Sequence, residues 1–148
     1  MKDLKSLQKL FGREKSEKNP LPLHQVPLMI IDDNPEVIKA FTHILEQEYT
    51  LIPCLSFEEA QAQLKKQIRA GTLPVILLDI KMAPKDGLEV FRLLKDIQPD
   101  LRIIFHSAYP GGHSHAREVA TLPHAGYLTK GEYSIPELMS TIQAAILT

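Results

Sequence analysis

Five times along the chain a short apolar run gives way to a stretch with helical spacing. The first run, Leu28-Met29-Ile30-Ile31, ends in Asp32-Asp33-Asn34-Pro35. Proline suits the first turn of a helix, where its missing N–H costs nothing. Val37, Ile38, Phe41, Ile44 and Leu45 then fall on one helical face. Residues 49–55 read as a second strand, and Ser56-Phe57-Glu58-Glu59 is a capping box. It opens a helix with Phe57, Ala60, Leu64 and Ile68 inward, stopped by Gly71. The third run, Val75-Ile76-Leu77-Leu78, leads straight into Asp79. A continuous apolar run this short predicts a strand buried on both faces, as in a parallel sheet. The following helix turns Val90, Phe91, Leu94 and Ile97 inward and ends before Pro99.

Residues 101–106 predict a fourth strand with Ser107 at its end. Pro110-Gly111-Gly112 is a poor helix opening, and a helix is expected to resume over 116–122. Residues 125–130 predict a short fifth strand. Ser134-Ile135-Pro136-Glu137 is a second capping box, opening a last helix that buries Ile135, Leu138, Ile142 and Ile146. Strand and helix thus alternate five times. That alternation implies an α/β fold, a five-stranded parallel sheet doubly wound as (βα)5 with helices on both faces.

The repeating pattern occupies residues 26–148, and 148 residues suit a single domain. Residues 1–25 differ in composition. Leu4, Leu7, Leu10 and Phe11 fall at helical spacing among Lys2, Lys5, Lys9 and Arg13. They predict a short amphipathic helix followed by a polar, proline-punctuated linker. Residues 1–20 carry six Lys/Arg against three Asp/Glu, a net of +3, and the remainder carries eleven against fifteen, a net of −4. The expectation for this extension is a partly ordered tail. Docking to a partner protein is the sharper reading, and the single narrow apolar face argues against membrane contact by residues 1–15.

Hydrophobic content of 44% and charged content of 24% are ordinary for a globular protein. No apolar run approaches the roughly 20 residues of a membrane helix, and the N-terminus lacks the apolar core of a secretory signal. Cys54 is the only cysteine and sits in an apolar run, which makes it a core residue rather than a nucleophile. These features lead to the expectation of a cytoplasmic protein. A net charge of −1 provides no general attraction to nucleic acid, so no direct nucleic-acid binding is expected.

In a parallel sheet the carboxyl ends of all strands lie along one edge. Asp32 and Asp33 after the first strand, Asp79 on the third, Ser107 on the fourth and Lys130 after the fifth therefore converge. Three close carboxylates repel one another unless neutralised. A hard divalent cation fits, and Mg²⁺ prefers an incomplete shell of carboxylates completed by water and phosphate oxygens. Lys130 adds a compact positive charge. Such a crevice is set up for phosphoryl transfer, which depends mainly on positioning and charge neutralisation. His106, His113, His115 and His124 lack the spacing and companion ligands of a structural metal site.

The motifs Ile31-Asp32-Asp33-Asn34, Leu78-Asp79-Ile80-Lys81-Met82, Asp86-Gly87, His106-Ser107-Ala108 and Gly126-Tyr127-Leu128-Thr129-Lys130 resemble those of the receiver domains of two-component response regulators. These have the chemotaxis-regulator type of flavodoxin-like fold. The resemblance implies the sheet order 2-1-3-4-5. It implies Asp79 as phosphoacceptor, with Asp32, Asp33, Asp79 and the backbone carbonyl of Lys81 holding Mg²⁺. It further implies Ser107 as the switch hydroxyl, Tyr127 as the aromatic switch, and Lys130 as the cation paired with acceptor or phosphoryl group. The phosphoryl donor would be a sensor histidine kinase or a phosphotransfer protein, and the output an unidentified protein partner. In this family the residues two beyond the acceptor and two beyond the switch hydroxyl tune phosphate lifetime. Here they are Lys81 and Tyr109, both bulky, which predicts slow loss.

The chain departs from the family pattern in three places. Proline falls one position late in Met82-Ala83-Pro84, Gly131 replaces the usual proline after Lys130, and Pro110-Gly111-Gly112 interrupts the fourth helix start. No output domain follows the last helix, so a stand-alone receiver is expected: a signalling switch limited to Mg²⁺-dependent self-phosphorylation and slow autodephosphorylation. The alternative is a receiver-like interaction module that works without phosphorylation. An aspartyl-phosphate phosphohydrolase would need a second acid two residues after the nucleophile, where Lys81 stands. A flavin site is disfavoured because Asp32 and Asp33 would repel its phosphate.

Overall fold

The computed structural model describes residues 26–82, 85–108, 118–119 and 121–147. The expected leader helix, the linker, Tyr109, Pro110-Gly111-Gly112 and residues 116, 117 and 120 of the helix expected over 116–122 lie outside these residues; of the rest of that helix, 118 and 119 are helical and 121 and 122 are not. The strands are β1 (Pro27–Ile31), β2 (Thr50–Cys54), β3 (Val75–Asp79), β4 (Arg102–Ser107) and β5 (Gly126–Thr129). Every pairing is parallel, and the order is β2-β1-β3-β4-β5 as expected. Among the described residues the helices are α1 (Pro35–Leu45), α2 (Phe57–Arg69), α3 (Gly87–Ile97) and α4 (Ile135–Leu147).

Period-two alternation along the strands divides the core into two layers. Met29, Ile31, Ile76, Leu78, Ile103 and Phe105 share one layer with Phe57, Ala60 and Leu64 of α2 and Val90, Phe91 and Leu94 of α3. Leu28, Ile30, Val75, Leu77 and Ile104 share the other with Phe41 and Leu45 of α1 and Leu138, Ile142 and Ala145 of α4. Every residue of β1 and β3 is buried because both strands are covered on both faces. Fully burying each such aliphatic side chain contributes about 1.5–3 kcal/mol. β2 is an edge strand and more exposed, and its position at the edge is what tolerates Pro53 in the ladder.

Helix starts follow the local sequence. Asn34 accepts a hydrogen bond from the Glu36 amide with Pro35 in the first turn, and Ser56 accepts one from the Glu59 amide. Ser134 and Glu137 satisfy each other's amides, a complete capping box. One expectation fails. Ile135 is 55% exposed rather than buried. The first turn of α4 runs clear of the core, and its buried stripe begins one turn later at Leu138.

Candidate functional site

β1 and β3 are neighbours with Ile31 opposite Leu78, so Asp32 and Asp79 emerge side by side at the carboxyl edge. Both are almost fully buried, at 2% and 3% exposure, while Asp33 is exposed. The Asp32 amide donates to the Cys54 carbonyl at 3.1 Å, extending the β1–β2 ladder by one residue. Its Oδ1 accepts from the Asn34 amide at 2.9 Å, a turn that fixes the carboxylate's direction. Asp79 Oδ1 accepts from the Lys81 amide at 3.3 Å. Asp32, Asp33 and Asp79 each offer a carboxylate oxygen within 4.8 Å of the others.

Lys130 directly follows β5, and its amide donates to the Ser107 carbonyl at 2.6 Å. From that anchor its Nζ reaches 3.3 Å from Asp79 Oδ1 and 3.4 Å from Asp32 Oδ2. One ammonium therefore contacts both buried carboxylates of the group. Burial, and then the Asp32 charge, push the Asp79 carboxyl up to about 6; Lys130 and the Lys81 amide offset this only in part. The oxygen donors and the excess negative charge suit a hard divalent cation, for which Asp32, Asp33 and Asp79 are the available ligands.

The loop after β3 is held close by α3. Asp86 caps α3 by accepting from the Glu89 amide at 3.0 Å, and the Gly87 amide donates to the Ile80 carbonyl at 2.6 Å. A β-carbon on Gly87 would collide with the Asp79 carbonyl oxygen and the Ile80 backbone. Read in sequence, Asp86-Gly87 is only a turn. Folded, one residue starts the helix and the other lets it approach the acidic strand end.

Ser107 is fully buried at the end of β4, across from Thr129. Asp79 is opposite His106, so Ser107 lies one step beyond Asp79 on the neighbouring strand. Tyr127 is half-buried within β5 and packs against the layer formed by α2 and α3. The Lys81 side chain is exposed. Asp32, Asp33, Asp79 and Lys130 thus form one cluster, with Ser107 on the same edge.

His106, named in sequence only within a motif and among histidines unsuited to a metal, pairs with Tyr133, which the sequence did not single out; Nε2 and the hydroxyl lie 2.9 Å apart. They are 27 positions apart, and no local pattern joins them. Both line a groove of about 290 Å³ between α1 and the β5–α4 connection, beside Lys130. No helix among the described residues is long and apolar enough to cross a membrane.

A family model described as the response regulator receiver domain matches residues 28–143. Among curated proteins, the CAI-1 autoinducer sensor kinase/phosphatase CqsS of Vibrio cholerae is 27% identical over 122 residues, covering 76% of this chain. The chain spans 17% of the length of that relative. Among solved structures, a response regulator receiver domain protein from Clostridium thermocellum superposes with a TM-score of 0.72 at 20% identity, covering 82% of this chain and 94% of that one. The N-terminal signal receiver domain of a two-component response regulator from Bacteroides fragilis gives 0.72 at 22% identity, covering 82% and 97%. The response regulator TrrA of Thermotoga maritima, in complex with Mg²⁺-BeF, gives 0.66 at 25% identity, covering 82% and 99%.

Proposed function

The chain belongs to the response regulator receiver domain family, and from that premise we propose that Asp79 accepts a phosphoryl group in a two-component phosphorelay. The observation that carries this is the Lys130 ammonium held between Asp79 and Asp32, at 3.3 and 3.4 Å, with Asp33 completing the acidic cluster. Family membership places the protein among signalling switches of two-component systems.

In this reading a phosphohistidine of a sensor histidine kinase or phosphotransfer protein is the donor. An Asp79 carboxylate oxygen forms the new O–P bond while the P–N bond breaks, its electron pair returning to the imidazole. Mg²⁺ held by Asp32, Asp33, Asp79 and the Lys81 carbonyl would neutralise phosphoryl oxygens during this exchange. Lys130 stabilises charge on the acceptor and then on the phosphoryl group. Modification adds about −1.5 to −2 charges and three acceptor oxygens. The Ser107 hydroxyl donates to one of them, and Tyr127 repacks in response, changing the surface offered to a downstream protein. Bulky groups at Lys81 and Tyr109 keep hydrolytic water from the acyl phosphate. Cytoplasmic localisation accords with such a partner set.

Beryllofluoride tests the site without covalent chemistry. With Mg²⁺ present it should bind the wild-type chain and shift the amide resonances of Ser107, Tyr127 and Lys130. Asp79→Asn should abolish the shifts. Equal binding by both chains would remove Asp79 from the centre of the site.

A further inference from the structure

Lys130 begins a connection, residues 130–134, that lacks a proline to stiffen it. Gly131 follows with φ of +77°, and a β-carbon there would meet nothing within 4 Å. Glycine serves the backbone turn at this point and adds no packing. One end of the connection is tied by the Lys130 amide to the Ser107 carbonyl. The Glu132 amide closes a turn onto the Thr129 carbonyl at 3.0 Å, and Ser134 caps α4; neither of these ties the far end of the connection to β4 beside Asp79.

Tyr133 supplies that tie. Its hydroxyl is 2.9 Å from Nε2 of His106, which is buried in β4, directly across the ladder from Asp79 and immediately before Ser107. The imidazole stands edge-on to Phe41 of α1, ring centres 4.8 Å apart, and to Tyr133 at 5.6 Å. Its Nδ1 has no hydrogen-bond partner, so Tyr133 is the ring's polar contact within the described residues. Burial pushes the imidazole pKa down to about 4, which keeps the ring neutral near pH 7. A neutral ring can donate to or accept from the hydroxyl, and breaking the pair would leave a buried polar group unsatisfied.

We propose that the Tyr133–His106 hydrogen bond positions Lys130, pinning the far end of the connection to the strand beside Asp79. The proposal rests on the reading of Asp79 as phosphoacceptor. His106 and Tyr133 are positioning residues: they act on the reaction through Lys130. The tie does the work that a rigid ring after the lysine would do. Loss of one such hydrogen bond shifts a local equilibrium about two- to tenfold, and the rate of phosphoryl acceptance should follow.

The test compares the full chain with Tyr133→Phe, His106→Leu, His106→Gln and the Tyr133→Phe/His106→Leu pair. Each is given acetyl phosphate and Mg²⁺, with uptake followed by intact mass and amide exchange followed at Gly131 and Glu132. Tyr133→Phe keeps the ring, so folding is preserved while the hydroxyl is lost. It should slow uptake about two- to tenfold and speed exchange. His106→Leu should match it, and the double variant should be no slower than either alone. His106→Gln, whose amide can pair with the Tyr133 hydroxyl, should recover most of the rate and the slow exchange. Wild-type rate and exchange in Tyr133→Phe would overturn the proposal, as would His106→Gln as slow as His106→Leu. A wild-type chain that takes up no phosphoryl group would instead overturn the reading of Asp79. Exchange then decides the tie alone: faster in Tyr133→Phe upholds it, and unchanged sinks it.

Discussion

The Lys130 ammonium lies 3.3 Å from Asp79 Oδ1, yet Asp79 keeps a carboxyl pKa of about 6, well above the ordinary 3.8. The cation is shared with Asp32 and partly open to solvent, so it does not offset burial and like-charge repulsion. Replacing Lys130 with Met should raise the Asp79 pKa further and slow phosphoryl acceptance by at least about tenfold. Carbon-detected NMR titration of Asp79 and the uptake rate check the two parts. An unchanged titration would mean that the ammonium does not act on Asp79.

Asp79 and His106 face each other across β3 and β4 and titrate in overlapping ranges with opposite signs. The folded Asp79 holds its proton up to about 6 instead of 3.8, so its contribution to stability is complete at low pH and is lost as pH rises through that window. The folded His106 resists protonation down to about 4 instead of 6.5, so its contribution is complete above 6.5 and is lost as pH falls. Each amounts to ~3 kcal/mol, and in the wild type they largely cancel. Asp79→Asn removes only the first. Without Mg²⁺, its unfolding free energy relative to wild type should rise by ~2 kcal/mol between pH 4 and pH 6, most of the full effect. Urea melts at intervals across that range give the comparison, and parallel curves for the two chains would refute the opposed pair.

Gly87 is required by contact rather than by backbone conformation. A β-carbon there meets the Asp79 carbonyl oxygen and the Ile80 backbone. Gly87→Ala should cost about 1–3 kcal/mol of stability and slow phosphoryl acceptance by displacing the strand end. A variant as stable and as reactive as wild type would show that α3 can retreat without disturbing the site.

Lys81 sits two residues beyond Asp79, with its amide on Asp79 Oδ1 and its side chain exposed. Replacing Lys81 with Asn and Tyr109 with Ala should open the path for water. Loss of phosphate should then quicken by about tenfold, roughly 1.4 kcal/mol in the barrier. Decay of the modified mass after donor removal measures it, and an unchanged half-life would dismiss the shielding role.

The acidic cluster was legible because parallel strands share one carboxyl edge. Asp32, Asp79, Ser107 and Lys130 needed only the strand ends to be placed, and continuous apolar runs such as Val75–Leu78 marked those ends. The starts of α1, α2 and α4 were legible because Pro35 and the capping boxes at Ser56 and Ser134 are local. What stayed hidden depended on approach between distant segments. The need for Gly87 comes from where α3 meets β3, and the His106–Tyr133 pair comes from packing of the β5–α4 connection on β4. Ile135 misled because helical spacing identifies a stripe and not how far the core extends along it.

The central claim is that Asp79 is the group that takes the phosphoryl. Intact mass measured after incubation with acetyl phosphate and Mg²⁺ addresses it directly. The account predicts the gain of one phosphoryl group by the wild-type chain, none by Asp79→Asn, and none when Mg²⁺ is chelated. A wild-type chain that remains unmodified even with a cognate histidine kinase, or an Asp79→Asn chain modified as fully as wild type, would contradict it.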